Sequence, residues 1–196
     1  MKIPGVFSTS FQPAGEPVGT AVVVPGRGYP PQAPLLFFAG VVLLQHGWRV
    51  EHHWWDPPKA QSDEQTSAWV RDQIDGALPA TGRTLIVAKS LGTMAAPLAA
   101  ERGLPAVWLT PLLEITAVAE AMAANPAPQL LVGGTADDLW DSALAAELRG
   151  RGCEVLEIQG GDHLLMASGD AVRGVQMHLE VVRGLDTWLG ALPLVD

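Results

Sequence analysis

The chain has 196 residues, of which 48% are hydrophobic, and its formal net charge is −9 at pH 7. This length and hydrophobic content suit one domain, residues 1–196, with a substantial core. The negative charge, with only three lysines, argues against nucleic acid and anionic membranes as partners, because both require clustered basic side chains.

The cysteine content and the N-terminus bear on the cellular compartment. Cys153 has no second cysteine with which to form an internal disulfide, which fits a reducing environment. The first residues lack the continuous apolar run of a signal peptide. The longest apolar stretch, residues 33–44, is shorter than the roughly 18 residues that suggest a membrane span. We therefore expect a cytoplasmic protein.

Apolar, strand-like runs alternate along the chain with segments of helical periodicity. The first half reads as an edge strand at 3–10, a strand at 20–24, a helix at 32–46, a strand at 48–54, a helix from Ser62 or Asp63 to Leu78, and a strand at 83–88. The second half reads as a helix after Ser90, a strand at 105–109, a helix at 115–124, a strand at 129–133, a helix at 141–149, a strand at 154–158 and a helix at 172–189. This alternation predicts a three-layer α/β/α sandwich with a mostly parallel central sheet.

The most informative motif follows the fourth predicted strand, where a serine lies between small residues. The sequence Ala88-Lys89-Ser90-Leu91-Gly92 has the form Ala-x-Ser-x-Gly, close to the Gly-x-Ser-x-Gly of a nucleophile elbow. Such an elbow holds its serine on a strained turn, and the small residues let the following helix pack close to the strand. Alone, the pattern is also compatible with an ordinary strand-to-helix turn.

An aspartate and a histidine follow later strands in the order that a catalytic triad requires. A Gly-x-x-Asp turn ends at Asp137, and a Gly-Asp-His turn ends at His163. Because parallel strands end at the same edge of a sheet, we expect Ser90, Asp137 and His163 to meet in one cleft. The order Ser, Asp, His is the one found in α/β-hydrolases.

The elbow, the two turns and a Gly-Arg-Gly loop at 26–28 together resemble the α/β-hydrolase superfamily over nearly the whole chain. In size and plan the chain is similar to small carboxylesterases, acyl-protein thioesterases and dienelactone-hydrolase-like proteins. The resemblance implies an α/β-hydrolase fold, and the segment from Leu109 to Gln129 leaves room for one helix rather than a cap domain. Dienelactone hydrolases use a cysteine nucleophile, whereas this chain has Ser90.

Each member of the predicted triad has a role that its chemistry supports. Ser90 is a weak nucleophile that needs an adjacent base. An imidazole side chain can take the serine proton and later return it to the leaving group, and His163 is the candidate for this role. An acid is needed to orient the imidazole, and the resemblance favours Asp137 for this role.

Two other aspartates compete for the role of triad acid. Asp138 lies three residues before Asp141 at the start of a predicted helix, where we expect it to act as an N-cap, and this favours Asp137 as the acid. Asp138 nevertheless remains the alternative. Asp162 is adjacent to His163 in sequence and is expected to be a turn residue.

Two backbone N–H groups are candidates for an oxyanion hole. One belongs to Leu91, the residue after the nucleophile. The resemblance assigns the second to Arg27, in a loop where many relatives carry His-Gly-x, with Gly26 letting the backbone approach. A plain glycine turn is the alternative for this loop. Lys89 could attract an anionic substrate, but we expect it to be solvated on a surface turn.

The cleft is predicted to be mostly apolar, which favours a neutral acyl group, although the leucines in it could equally be core residues. The predicted lining residues are Tyr29, Thr110, Pro111, Leu112, Leu113, Trp140 and Leu164.

Together these features predict a serine hydrolase that cleaves a carboxylic ester or thioester through an acyl-enzyme intermediate. No metal or organic cofactor is implied, and the expected partner is a small-molecule substrate. One alternative is a non-catalytic binding protein with the hydrolase fold. The other is an acyltransferase or perhydrolase that uses the same triad. The sequence leaves the oligomeric state and the physiological substrate open.

Overall fold

Seven strands form one sheet in the computed structural model, which describes residues 9–59 and 61–193. Their order across the sheet is β1-β3-β2-β4-β5-β6-β7, and every pairing is parallel except that of β1 with β3. The mostly parallel sheet predicted from the sequence is therefore confirmed. The strands are β1 (Ser10–Phe11), β2 (Gly19–Val24), β3 (Trp48–His52), β4 (Thr84–Lys89), β5 (Ala106–Leu109), β6 (Gln129–Gly134) and β7 (Glu154–Ile158).

Helices cover both faces of this sheet. A short 3₁₀ helix over Ser90–Ala95 precedes α3. The α-helices of the described residues are α1 (Pro34–Gln45), α2 (Asp63–Asp75), α3 (Ala96–Arg102), α4 (Thr116–Ala124), α5 (Ser142–Gly150) and α6 (Ala171–Ala191). None of these helices is long and apolar enough to cross a membrane.

Alternate strand residues supply two separate hydrophobic cores, because successive side chains in a strand point to opposite faces. Val23 and Val87 pack in the core formed with α1 and α6. Val22 and Ile86 pack in the core formed with α2, α3, α4 and α5. All six residues of β4 are buried, as expected for a central strand covered on both faces. The result is the predicted three-layer sandwich.

Two helix ends follow directly from local sequence. Ser62 caps α2 in a reciprocal arrangement in which its hydroxyl accepts from the Gln65 N–H at 3.2 Å and its own N–H donates to the Gln65 side chain at 3.1 Å. Of the two predicted caps, Ser62 and Asp63, the structure therefore has Ser62. Gly47 follows α1 with φ = +79°, the left-handed conformation expected just beyond a helix C-terminus.

Several predicted boundaries differ from the structure. The predicted edge strand at 3–10 lies mostly outside the described residues, and the observed β1 begins at Ser10. β3 ends at His52 rather than at 54, and α2 ends at Asp75 rather than at Leu78. Between β5 and β6 the fully described chain forms α4 alone, so no cap domain is inserted there.

Gly92 lets the 3₁₀ helix lie directly against the end of β2. A Cβ atom added at Gly92 would lie 2.8 Å from the carbonyl oxygen of Pro25 and 2.9 Å from Cγ1 of Val24. Backbone atoms are among these contacts, so the added methyl could be accepted only by moving the chain.

We therefore expect Gly92→Ala to lower the free energy of unfolding by about 1–3 kcal/mol, the usual cost of overpacking. The measurement is urea denaturation of the purified variant. Gly150→Ala is a matched control, because nothing lies within 4 Å of a Cβ added there and alanine is the better helix former. An equal loss in both variants would contradict the tight contact at Gly92.

Candidate active site

Ser90 lies on the sharp turn between β4 and the 3₁₀ helix. Its φ is +49°, a left-handed backbone conformation that is uncommon for residues other than glycine. This is the strained turn that a nucleophile elbow requires. The carbonyl of Ser90 accepts a hydrogen bond from the Thr93 hydroxyl at 2.6 Å, and that hydroxyl in turn accepts from the Leu112 N–H at 3.2 Å. Thr93 thereby fixes the turn and joins it to the segment after β5.

The predicted serine, histidine and aspartate meet in a continuous chain of hydrogen bonds. Nε2 of His163 lies 2.8 Å from Oγ of Ser90. Nδ1 of the same ring lies 2.8 Å from Oδ2 of Asp137. With the ring proton on Nδ1, His163 donates to the carboxylate and accepts from the serine hydroxyl, which is the tautomer that proton abstraction needs.

The environment of Asp137 keeps its carboxyl group ionised. Its side chain is only 2% exposed, and Oδ1 accepts a hydrogen bond from the Leu139 N–H at 3.0 Å. Burial alone would raise the pKa of Asp137. The hydrogen bonds from His163 and Leu139, with the electrostatic influence of His163 and Lys89, outweigh burial and lower that pKa.

The two competing aspartates have other positions. Asp138 is exposed and does not cap α5, so that expectation is wrong. The cap is Asp141, whose carboxylate accepts from the Ala143 and Leu144 N–H groups at 2.9 and 3.0 Å. Asp162 is a turn residue, as predicted: its carboxylate accepts from the N–H groups of Leu164 and Met166 at 2.8 and 2.9 Å. Asp137 is the one of these three aspartates that forms a hydrogen bond with the His163 ring, and its role as the triad acid stays a prediction.

The loops that carry Asp137 and His163 are packed backbone against backbone. A Cβ added at Gly134 would lie 2.1 Å from the carbonyl oxygen of Gly161. That same oxygen accepts a hydrogen bond from the Ala136 N–H at 2.9 Å. The Thr135 hydroxyl accepts from the Gly160 N–H at 2.8 Å. These contacts fix the distance between the acid and the histidine.

The Gly-Arg-Gly loop after β2 contacts the elbow. A Cβ added at Gly26 would lie 3.4 Å from Cβ of Ser90, which places the backbone of this loop beside the serine. The Arg27 side chain is exposed and donates to the carbonyl oxygen of Pro58 at 3.1 Å, so it ties this loop to the segment after β3. The assignment of the Leu91 and Arg27 N–H groups to an oxyanion hole stays a prediction.

Lys89 is buried, and the expectation that it is solvated on a surface turn is wrong. Its exposed fraction is 1%, and its ammonium donates to Oγ1 of Thr110 at 3.0 Å and to the carbonyl oxygen of His163 at 3.1 Å. The ammonium also lies 4.6 Å from the centroid of the Tyr29 ring. Burial lowers the pKa of Lys89 to about 8, against the opposing influence of Asp137 and Asp162.

The residues predicted to line the cleft divide into two groups. Leu164 is exposed, and Tyr29 and Leu112 are half-buried, so these three can face a ligand.

The other predicted lining residues are buried. Thr110 is fully buried and its hydroxyl accepts a hydrogen bond from Lys89, so its predicted contact with substrate is not supported. Trp140 is also a packing residue: its indole N–H donates to the Glu157 carboxylate at 2.8 Å, and its ring fills the space beside Gly133. Pro111 and Leu113 are buried as well.

The sequence motifs did not reveal the positions of three residues near the site, which are Thr93, Lys89 and His178. Thr93 carried a local signal, because a threonine often bonds a carbonyl three residues earlier in a helical turn. Lys89 and His178 carried none, because their partners are distant in sequence. Nε2 of His178, on α6, lies 3.0 Å from the carbonyl oxygen of Leu164 in the histidine loop. Within the described residues, no group of three or more His, Cys, Asp or Glu side chains is placed to hold a metal ion.

Solved structures of similar fold include several esterases and hydrolases. Est1E from Butyrivibrio proteoclasticus, determined with ferulic acid bound, is 14% identical over 93% of each chain, with a TM-score of 0.69. XC6422 from Xanthomonas campestris, a member of the α/β serine hydrolases without a lid, is 16% identical over 94% of this chain and 89% of its own, with a TM-score of 0.62. A dienelactone hydrolase from Anabaena variabilis is 16% identical over 93% of this chain and 90% of its own, with a TM-score of 0.61.

These likenesses establish the fold: the chain has the α/β-hydrolase fold without a cap domain, as the motifs predicted. The chain matches no profile of a known protein family and no curated protein sequence.

The buried Lys89 makes stability depend on pH in a defined direction. The folded chain releases this proton near pH 8 and the unfolded chain near pH 10.5, so the unfolded chain binds more protons between these values. The contribution of Lys89 to the free energy of unfolding therefore increases as pH rises through this interval, by up to about 3 kcal/mol. Urea denaturation of the wild type and of Lys89→Met across the interval measures this gain as the change in their difference.

The exposed Lys59 provides the matched control for this measurement. Lys59→Met should follow the wild type at every pH, because an exposed ammonium is not desolvated on folding. If the wild type and Lys89→Met keep a constant difference in stability over the interval, the lowered pKa of Lys89 is contradicted.

Proposed function

We propose that the protein is a serine hydrolase that cleaves carboxylic esters or thioesters through an acyl-enzyme intermediate. The observation that carries this proposal is the pair of 2.8 Å hydrogen bonds that joins Ser90 to His163 and His163 to Asp137. A serine at a strained elbow, a histidine within reach of its hydroxyl and a buried carboxylate behind the histidine have the geometry of an activated nucleophile.

In the proposed reaction, Oγ of Ser90 attacks the carbonyl carbon of the substrate while its proton passes to Nε2 of His163. The ionised Asp137 stabilises the imidazolium that forms. Collapse of the tetrahedral intermediate breaks the bond to the leaving alcohol or thiol, which takes the proton from His163. Water, activated by the same histidine, then attacks the acyl-enzyme and releases the carboxylic acid and free Ser90.

The N–H groups of Leu91 and Arg27 are proposed to stabilise the oxyanion of the tetrahedral intermediate. The close approach of Gly26 to Ser90 supports this role for the Arg27 loop, because it brings that backbone to the reacting centre. Loss of one such donor typically costs about 2.7–4 kcal/mol of transition-state stabilisation.

The surroundings of the triad favour a neutral acyl group. Leu164, next to His163, is 45% exposed and offers an apolar surface at the mouth of the site. The structural likeness to Est1E, whose structure holds ferulic acid, supports small esters as the first substrates to test. We place this activity in the cytoplasm, consistent with the lone Cys153, which is buried.

The first test is labelling of the purified protein with a fluorophosphonate, with the modified residue located by mass spectrometry. We expect labelling at Ser90, because the histidine raises the nucleophilicity of that hydroxyl. Labelling should be lost in Ser90→Ala and His163→Ala, and Ser90→Ala should not hydrolyse a p-nitrophenyl ester although it remains folded. The proposal would be contradicted if the folded wild type were not labelled or if Ser90→Ala retained turnover.

A pair of neighbouring substitutions tests the role of the acid. Asp137→Asn should lower kcat by about 10³–10⁴-fold, because the amide no longer holds the productive tautomer of His163. Asp138→Asn is the matched control: its side chain is exposed, and its kcat should remain within about threefold of the wild type. Ester hydrolysis by the two variants, measured side by side, decides the assignment, and the reverse order of losses would exchange the two roles.

A further inference from the structure

We propose that Lys89 is a positioning residue, which holds the backbone of the catalytic histidine against the nucleophile elbow. The inference rests on the proposed function, because a position for His163 matters only if that histidine acts on Ser90. Lys89 does not reach the reacting atoms itself. It acts through the carbonyl group of His163 and through its contacts with Thr110 and Tyr29.

The contacts of Lys89 join four segments of the chain at one ammonium group. Lys89 itself ends β4 and is bonded covalently to Ser90. Its ammonium donates to Thr110, which follows β5, and to the carbonyl oxygen of His163, which follows β7. The ring of Tyr29, which follows β2, lies against the same ammonium. A single side chain thereby ties the elbow to the loops after β2, β5 and β7.

The carbonyl that Lys89 holds belongs to the residue whose ring must meet Ser90. A displacement of this peptide group would carry the imidazole with it and lengthen the 2.8 Å contact between Nε2 and the serine hydroxyl. Misplacement by about 1 Å is enough to cost about 100-fold in rate. The contact between Lys89 and the His163 carbonyl therefore bears directly on the geometry of proton transfer.

The remaining groups of the histidine loop have anchors of their own. Asp162 accepts hydrogen bonds from the N–H groups of Leu164 and Met166, and His178 bonds the Leu164 carbonyl. The loop should therefore stay folded when Lys89 is replaced, because within this loop only the His163 carbonyl loses its partner. This separation lets an effect on position be distinguished from an effect on folding.

A positioning role also accounts for a charge in a place where packing alone would favour an apolar side chain. Lys89 is 1% exposed, and burying an ammonium costs free energy that its hydrogen bonds must offset. The carboxylates of Asp137 and Asp162 act on this charge favourably, and the ring of Tyr29 lies against it. Methionine, with a similar length, would fill the same space without that cost.

The test compares the wild type with Lys89→Met in three measurements. We expect the rate of fluorophosphonate labelling at Ser90 and the kcat for a p-nitrophenyl ester to fall about 10- to 100-fold. The KM should change by less than about threefold, because Lys89 does not contact the substrate. The far-downfield proton NMR signal of the Nδ1–H between His163 and Asp137 should shift or broaden, which a purely structural loss elsewhere would not cause.

Gln129→Met is the matched control for a buried polar group without a link to the triad. Gln129 is 3% exposed, donates to the carbonyl oxygen of Met122 at 2.7 Å and accepts from the Trp108 indole at 2.9 Å, at the start of β6. This variant should lose stability and keep the labelling rate, kcat and NMR signal of the wild type.

The outcomes separate the two proposals. If the wild type is not labelled, the proposed function fails. If the wild type is labelled and folded Lys89→Met has the same labelling rate, kcat and NMR signal, the positioning role alone is overturned. Should Lys89→Met not fold, Lys89→Leu is a smaller apolar replacement that likewise cannot donate to Thr110 or to the His163 carbonyl. A loss in kcat with KM retained then supports the role, and wild-type kinetics overturn it.

Discussion

The candidate site depends on how closely backbone can approach backbone at the carboxyl edge of the sheet. Gly92 lies against Pro25 and Gly134 lies against Gly161, each at a distance that a side chain would increase, and Gly26 lies beside Ser90. These contacts bring the ends of β2, β4, β6 and β7 together, so that three short side chains can meet although they are up to 73 residues apart. Parallel pairing supplies the common edge, and the glycines supply the close approach.

The fold and the meeting of Ser90, Asp137 and His163 were predictable from sequence, because both depend on local patterns that the parallel sheet then assembles. An apolar run that ends at Ser90, and turns that end at Asp137 and His163, specify positions at one edge of the sheet without knowledge of any contact. The boundaries of β3 and α2 were less predictable, because tertiary packing decides where the last turn or bridge ends. The cap of α5 was mistaken because Asp138 and Asp141 are equally suitable residue types, and only the chain geometry selects Asp141.

The burial of the Lys89 ammonium could not be predicted from the sequence, for a different physical reason. A lysine in a turn between a strand and a helix is usually solvated, and nothing in the neighbouring sequence indicates a buried ammonium. Its partners, Thr110 and His163, are 21 and 74 residues away and become neighbours only when the sheet is complete. The same holds for Thr110 and Trp140, whose residue types suit a cleft but whose side chains are committed to Lys89 and Glu157.

The position of Lys89 also connects stability with the electrostatics of the site. Its charge lies close enough to Asp137 to favour the ionised carboxylate, and Asp137 in turn favours the ammonium. Either charge would be less stable without the other, because burial disfavours the charged form of each group. The attraction between the two charges therefore offsets part of the free energy needed to bury them, and the same ammonium holds the carbonyl of His163. The Tyr29 ring lies against the same ammonium, so the loop after β2 is also tied to the charge that favours the ionised Asp137.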